Sequence, residues 1–240
     1  MPLSRHHARK RVPNKREKLG EAAIKEFAKN GITHTAITKI TKRAGVATGT
    51  FYSYYQDKES LFEEVLAEHF AHVIDALEQG RNKLQRGDEY TDVPGQIAAI
   101  RGLFDTLIRV NTDNKDLFIS WYQYGYGHTK EIDELITSHI RQLEALAMDD
   151  MERSGTISIN DIPVLAQCVI SLCLGMSQHI ITTGSPSVDD AVLYVMRFTI
   201  GGLAGYIGQG ENAVKAAQLL SGFMQMAADK QKAEAEEAKE

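Results

Sequence analysis

Residues 38–61 read TKITKRAGVATGTFYSYYQDKESL, and this stretch decides the fold. Ile37, Ile40 and Ala44 recur at helical spacing, Gly45 supplies a tight turn that a residue with Cβ resists, and a second short helix follows over about Ala47 to Ser53. Two short helices joined by a glycine-containing turn are the parts of a helix-turn-helix. The second helix must enter a major groove about 12 Å wide, so its outward residues should be small or polar while its back is pinned to the scaffold. Thr48, Gly49, Thr50 and Ser53 meet the first need, and Val46 and Phe51 meet the second. Tyr52 and Tyr54 offer hydroxyls to phosphate oxygens, and Lys58 stands at the start of the next helix beside its N-terminal amides.

On these residues the chain resembles the tetracycline-repressor (TetR) family of regulators. The markers are Ala44-Gly45-Val46, Gly49 three residues on, Phe51-Tyr52 with Tyr54-Tyr55, and Lys58-Glu59 followed by Leu61; with the preceding helix the resemblance covers about residues 15–66. It implies an all-α homodimer: an N-terminal three-helix helix-turn-helix domain plus a C-terminal helical ligand-binding and dimerisation domain, whose last helices form a four-helix interface and whose core holds an inducer. Carried across by position, DNA contacts fall on Thr38, Thr48, Gly49, Thr50, Tyr52, Ser53, Tyr54 and Lys58. Two residues depart from the pattern. Ala47 replaces a common hydroxyl residue at the start of the recognition helix, and Thr41 replaces a common alanine, so its hydroxyl needs the carbonyl four residues back or solvent. None of the base-facing residues is Arg or Asn, which predicts few bidentate base contacts and a larger share of readout from threonine methyls and DNA shape.

The charge distribution agrees. Of 240 residues, the first 60 carry 13 Lys and Arg against 5 Asp and Glu, whereas the remaining 180 carry 14 against 27. A basic end on an acidic body suits a chain of which one face meets a polyanion, nucleic acid or a membrane surface. Residues 1–18 hold seven Lys and Arg with one acid, which reads either as a basic arm along the DNA backbone or minor groove or as an extension adding only sequence-independent attraction. The composition, 43% apolar with 19 Gly and 5 Pro, excludes a disordered, collagenous or disulfide-stapled chain. No leader segment is evident. Cys168 and Cys173 lie five apart in a helical stretch, about 140° from each other, and do not easily bridge, which favours a reducing cytoplasm.

Helical periodicity continues to the end of the chain. Leu19, Ala22, Ala23 and Phe27 mark a first helix stopped by Asn30-Gly31, and Thr35 is expected to cap the second. Asp57 should cap a long fourth helix burying Leu61, Phe62, Val65, Leu66, Phe70, Val73 and Leu77, the only direct bridge to the DNA-reading domain. A fifth helix opens near Pro94, a sixth spans about Lys115 to Tyr126, and a seventh runs from about Lys130 to Arg153, stopped by Gly155. An eighth opens at Asp161 and Pro163, a ninth is capped by Ser187, and a last covers about Asn212 to Ala228 before a solvated, frayed tail. The organisation expected is a basic arm over 1–14, the DNA-binding domain over 15–60, the ligand and dimerisation domain over 61–228 and the tail over 229–240.

Phe104, Leu107, Trp121, Tyr122 and Tyr126, joined by Met148, Met176 and His179, are candidate linings of an apolar pocket for an unknown small hydrophobic ligand, although at helical spacing they also read as ordinary core. The apolar runs Val164–Ile181 and Val192–Ile207 are too polar for confident membrane spans and read as buried helices, at about 161–183 and 188–208. Ser171, Gly175, Gly201, Gly205 and Gly208 place small residues four apart on them, which favours a homodimer face there. His69 and His72, with Glu68 and Asp75, share one side of the fourth helix at a spacing that can hold a metal, but solvated or pocket-edge positions explain them more simply, and no metal or other cofactor is expected. No nucleophile elbow or Ser-His-Asp pattern occurs, so the reading is not of an enzyme. The function expected is a cytoplasmic, ligand-responsive repressor of a double-stranded DNA operator, without membrane attachment. The alternative is a DNA-tethered architectural or recruiting protein with no small ligand.

Overall fold

Asn14 starts the first helix with a reciprocal cap. Its side-chain oxygen accepts from Glu17 N at 3.0 Å, and the Glu17 carboxylate accepts from Asn14 N at 3.0 Å. In this computed structural model, which describes residues 14–85, 93–154, 160–207 and 211–237, the resulting α1 (Lys15–Asn30) ends at Gly31, whose φ of 74° is one that only glycine adopts freely. No strand occurs among the described residues. The basic arm, the loop 86–92, Gly155, Gly208 and residues 238–240 lie outside the described residues.

The next helices are α2 (Ile37–Ala44) and α3 (Thr48–Tyr52), joined through Gly45 in the left-handed conformation. Thr35 does not cap α2. Ala36 takes that position with no side-chain bond, and Thr35 turns inward, where its hydroxyl reaches two carbonyl oxygens, Gly31 O at 2.7 Å and Glu26 O at 3.2 Å. A buried hydroxyl must find an acceptor, and this turn offers two, whereas the exposed start of α2 has water for its amides. Asp57 behaves as expected: its carboxylate accepts from Ser60 N at 2.7 Å and starts α4 (Lys58–Gln85).

The remaining helices are α5 (Val93–Asp113), α6 (Lys115–Tyr124), α7 (Lys130–Ser154), α8 (Ile162–Thr183), α9 (Val188–Ile207) and α10 (Glu211–Glu237). Helix α5 is central to the body, packing on α4, α8, α9 and α10. Buried side chains form one continuous cluster from Leu19 in α1 through Phe62, Ile108 and Trp121 to Phe223 in α10, so the DNA-reading helices share their core with the body.

Two expected boundaries move. Helix α6 stops at Tyr124 rather than Tyr126, because the chain turns through Gly125 and Gly127, the latter at φ 75°, with Gly127 N donating to Asp133 Oδ1 at 2.7 Å. Helix α10 runs on through the expected tail to Glu237, since Ala, Gln, Lys and Glu are strong helix formers that need no apolar face to stay helical next to a packed segment. Ser187 caps α9 by accepting from Asp190 N at 3.2 Å. Helix α8 is long and apolar enough by length and composition to cross a membrane; one third of its apolar window is buried, and it packs on α7, α5 and α9. It is thus a half-covered helix, not the fully buried one its hydropathy suggests.

Candidate nucleic-acid interface and regulatory core

The recognition helix α3 is held from behind and open in front. Phe51 is fully buried, meeting Tyr52 edge-on at 5.5 Å and Tyr55 at 5.7 Å between ring centroids. Thr48, Gly49 and Ser53 are exposed, Tyr52 is 59% and Tyr54 44% exposed, Thr50 is half-buried, and Thr38 is exposed on α2. Apart from its chain neighbours and its own helix backbone, nothing lies within 4 Å of where a Cβ on Gly49 would stand, so its missing side chain makes no room for another element. The structure therefore leaves six of the eight candidate DNA contacts exposed and a seventh, Thr50, half-buried.

Lys58 is the eighth. It is half-buried, and its ammonium donates to Thr33 O at 2.9 Å and Thr35 O at 3.1 Å, which ties α4 to the α1–α2 turn. Ala47 precedes α3 without a side-chain cap, as expected. Thr41, fully turned inside, donates to Thr38 O three residues back at 3.3 Å and lies 3.3 Å from the Thr48 hydroxyl, so it links α2 to the first residue of α3.

Several interactions that support this face had no signal in the sequence. Tyr55 OH donates to Glu64 Oε1 at 2.8 Å, and Arg16 Nε donates to the same oxygen at 2.8 Å while its Nη2 pairs with the other. Burial, and then the Glu64 bond, push Tyr55 up to about 12. Burial opposes the charge on Glu64, but the hydrogen bonds from Arg16 and Tyr55 outweigh it and hold the carboxyl below its ordinary value. On α1, Glu26 accepts from Arg43 Nε at 2.6 Å and from Asn30 Nδ2 at 3.0 Å, fixing α2 against α1.

The body reaches the DNA-reading helices by two routes, not one. Besides α4, α6 and the turn after it seat on them directly. Ser120 Oγ donates to Ile24 O at 3.3 Å, the Tyr124 ring lies against Gly31, and His128 meets Glu59 Oε1 at 3.1 Å through Nε2 and Thr33 Oγ1 at 3.4 Å through Nδ1. The expectation that α4 alone bridges the two parts is corrected accordingly: a short helix can bridge when its two faces are buried on different neighbours.

The inner face of α6 enters an aromatic cluster. Trp121 is 1% exposed and meets Phe118 at 5.2 Å, Phe70 at 5.4 Å and Tyr122 at 5.6 Å, while Tyr122 stacks on Phe118 at 4.9 Å. Phe104 and Leu107 are buried on α5, and Met148 and Met176 are half-buried. Tyr126 and His179 are exposed and do not join them, Tyr126 because α6 ends before it. Burial pushes His69 down to about 4 and His139 down to about 3, so both imidazoles are neutral near pH 7. His72 is exposed while His69 is buried, which separates the two histidines, and among the described residues no group of three His, Cys, Asp or Glu is placed to hold a metal.

A second accessible stripe runs along α8 and α9: Val164, Cys168, Ser171 and Gly175 on the first, Tyr194, Arg197, Phe198 and Gly202 on the second, with Phe198 74% exposed. Both cysteines are free, and burial pushes the Cys173 thiol up to about 12.

An all-helical body thus carries a helix-turn-helix whose second helix is bare of packing on its outer face. Residues 19–65 match the profile described as bacterial regulatory proteins, tetR family. It is 26% identical over 113 residues to an uncharacterised helix-turn-helix transcriptional regulator, YvdT, of Bacillus subtilis, covering 47% of this chain and 54% of that one. It is 30% identical over 102 residues to a probable acrEF/envCD operon repressor of Escherichia coli, covering 37% of this chain and 46% of that one. The match thus spans about half the length of these curated relatives. In fold it resembles the Bacillus subtilis regulator FadR in complex with stearoyl-CoA, with a TM-score of 0.62 at 16% identity over 77% of this chain and 97% of that one.

Proposed function

We propose that the chain is a cytoplasmic, ligand-responsive transcriptional repressor that binds a pseudo-palindromic operator as a homodimer and is released by a small hydrophobic molecule. The observation that carries this reading is the face made by Thr38, Thr48, Gly49, Thr50, Tyr52, Ser53 and Tyr54, turned outward from a fully buried Phe51 at the basic end of the chain. The tyrosine and serine hydroxyls suit phosphate oxygens, the threonine methyls suit thymine, and Gly49 allows the backbone close to the duplex. Lys58 acts as a support, holding the α1–α2 turn, with one ammonium proton left for a phosphate. The arm over 1–14 adds electrostatic attraction to the backbone.

The exposed stripe of α8 and α9 serves as the dimer face, its glycines letting two copies approach closely and Phe198 and Tyr194 supplying apolar area. Two recognition helices then stand about 34 Å apart, one turn of DNA. Phe104, Leu107, Trp121, Tyr122, Met148 and Met176 mark the region that receives the effector; the stearoyl-CoA complex of the structural neighbour supports a largely apolar occupant. An occupant among these residues displaces α6, and Ser120, Tyr124 and His128 pass the displacement to α1 and α4, changing the spacing of the two recognition helices. A coupling of roughly 1–3 kcal/mol is sufficient for regulation. The test is a gel shift on the DNA upstream of the chain's own gene over a range of salt. Selective binding that weakens steeply with salt supports the reading, and binding that ignores sequence or salt contradicts it.

A further inference from the structure

Three side chains from three different helices bring nitrogens without a protein hydrogen-bond partner into the aromatic cluster: His69 Nε2 on α4, Trp121 Nε1 on α6 and His139 Nδ1 on α7. All three residues are more than nine-tenths buried, at 8%, 1% and 4% exposed. Their rings gather on one side chain, Phe70: His139 stacks on it at 3.9 Å and 4°, Trp121 meets it edge-on at 5.4 Å, and His69 lies at 6.0 Å. Trp121 and His139 are 6.4 Å apart, edge to face. Folded chains leave buried polar atoms unpaired only rarely, and ring packing on Phe70 accounts for the apolar parts of these three side chains but not for their three unpaired nitrogens. A leucine or phenylalanine at the two histidine positions would fill much the same space without the desolvation cost.

We propose that His69, Trp121 and His139 are the polar seat of the effector, taking one uncharged hydroxyl or carbonyl group of a small, otherwise apolar molecule inserted between α4, α6 and α7. The inference rests on the reading of the chain as an effector-controlled regulator. The indole N–H is a donor only, so the occupant must present an acceptor oxygen, and each imidazole donates or accepts according to its tautomer. A hydroxyl, with one proton and two lone pairs, matches a set of three such nitrogens. An anion does not suit the place, because both imidazoles are held neutral by burial and a buried carboxylate needs a cation. Since Ser120 is the next residue to Trp121, an occupant of this seat acts on the bond to Ile24 directly.

The chain holds one tryptophan, so its emission reports this seat alone. The test titrates the full chain with phenol and cyclohexanol as probes, against toluene and benzoate as controls, and repeats the titration in the His69→Leu/His139→Phe double variant. The proposal expects saturable emission changes with the two alcohols, weaker or absent changes with the controls, and affinity for the alcohols at least about tenfold lower in the double variant, whose melting temperature equals or exceeds that of the wild type. If the double variant fails to fold, His69→Leu and His139→Phe are read singly, each expected to weaken alcohol binding. No saturable response to either alcohol, equal affinity for toluene, or unchanged affinity in the variants overturns the proposal. A chain that binds its operator but ignores both alcohols contradicts the seat alone, whereas a chain that takes up the alcohols but binds no operator contradicts the regulator reading.

Discussion

Ser120 on α6 donates its hydroxyl to the carbonyl of Ile24 on α1 at 3.3 Å, one residue away from the buried ring of Trp121. The hydroxyl has one proton, which it shares with Asp116 O at 2.7 Å, so the Ile24 contact is the longer and weaker arm of a bifurcated bond. A fastening of this kind holds α6 and α1 in register yet gives way at small cost, as a switching element requires.

The end of α6 has no room to adjust. A Cβ on Gly125 would stand 2.5 Å from Trp121 O and 2.6 Å from Ile136 Cδ1, and a backbone carbonyl cannot swing aside. Gly125→Ala is expected to destabilise the fold by roughly 2–4 kcal/mol and, because α6 seats on α1, to weaken operator binding as well. Denaturant unfolding together with fluorescence anisotropy on labelled operator checks this, and wild-type behaviour in both would exclude α6 as a bridge.

Tyr52 and Lys58 separate reading from support. Tyr52→Ala removes an exposed ring, so stability should stay within about 1 kcal/mol of wild type while operator affinity falls at least about tenfold. Lys58→Met removes two charge-assisted bonds to carbonyl oxygens and should lower stability by about 1–3 kcal/mol in addition to weakening DNA binding. Thermal melts of the two variants side by side decide it: equal melting temperatures contradict the assignment.

The buried histidines predict a pH dependence. His69 at about 4 and His139 at about 3 lie below the ordinary imidazole value of about 6.5, so the unfolded chain binds more protons than the folded one throughout that window. Their contribution is complete above about pH 6.5 and is lost as pH falls toward the folded values, a few kcal/mol in all. Melting temperature should therefore drop between pH 7.5 and pH 5 in the wild type and drop less in His69→Leu/His139→Phe. Parallel curves would contradict neutral burial of the two rings.

Much of the DNA-reading part was legible because it is local. Gly31 and Gly45 stop helices where backbone geometry demands glycine, and the outward and inward sets of α3 alternate as a five-residue helix dictates. The residues that hold this part together and fix it against the body were not legible, because their partners are distant in the chain: Glu26 with Arg43 within it, and Arg16 with Glu64, Ser120 with Ile24 and His128 with Glu59 across to the body. In the core, Trp121 and Phe104 were readable from apolar spacing, whereas His139 was not, since a histidine in an amphipathic helix gives no sign of which face it occupies. Tyr126 and His179 misled for the same reason: their helices end or turn outward at positions that periodicity fixes only loosely.

Arg81 locks the far half of α4 to α7. It is 8% exposed and pairs with both Asp149 and Asp150, Asp150 Oδ1 accepting from its Nε at 3.0 Å. Burial raises the Asp150 carboxyl above its ordinary value even with that guanidinium beside it, so removing the cation leaves a carboxylate poorly solvated. Arg81→Met should cost about 3–5 kcal/mol, and Arg81→Met/Asp150→Leu should recover much of that loss. Urea unfolding of both variants measures it, and a double variant no better than the single would contradict a charge-based cost.

The α8–α9 stripe predicts the state of association. Phe198→Asp replaces an exposed apolar ring with a charge in the middle of the proposed dimer face and should convert a dimer to a monomer with little loss of helix content. Sedimentation equilibrium of wild type and variant distinguishes the outcomes, and a dimer unaffected by the substitution would relocate the interface.

The central claim is that the outward face of α3 reads DNA. Its most direct test is selection of bound duplexes from a random library by the full chain and by Thr48→Glu, which sets a negative charge on that face while leaving Phe51 in place. The account predicts enrichment of an inverted repeat with half-site centres about one helical turn apart for the wild type, and none for the variant. Recovery of no shared sequence by the wild type, or of the same repeat by the variant, would contradict it.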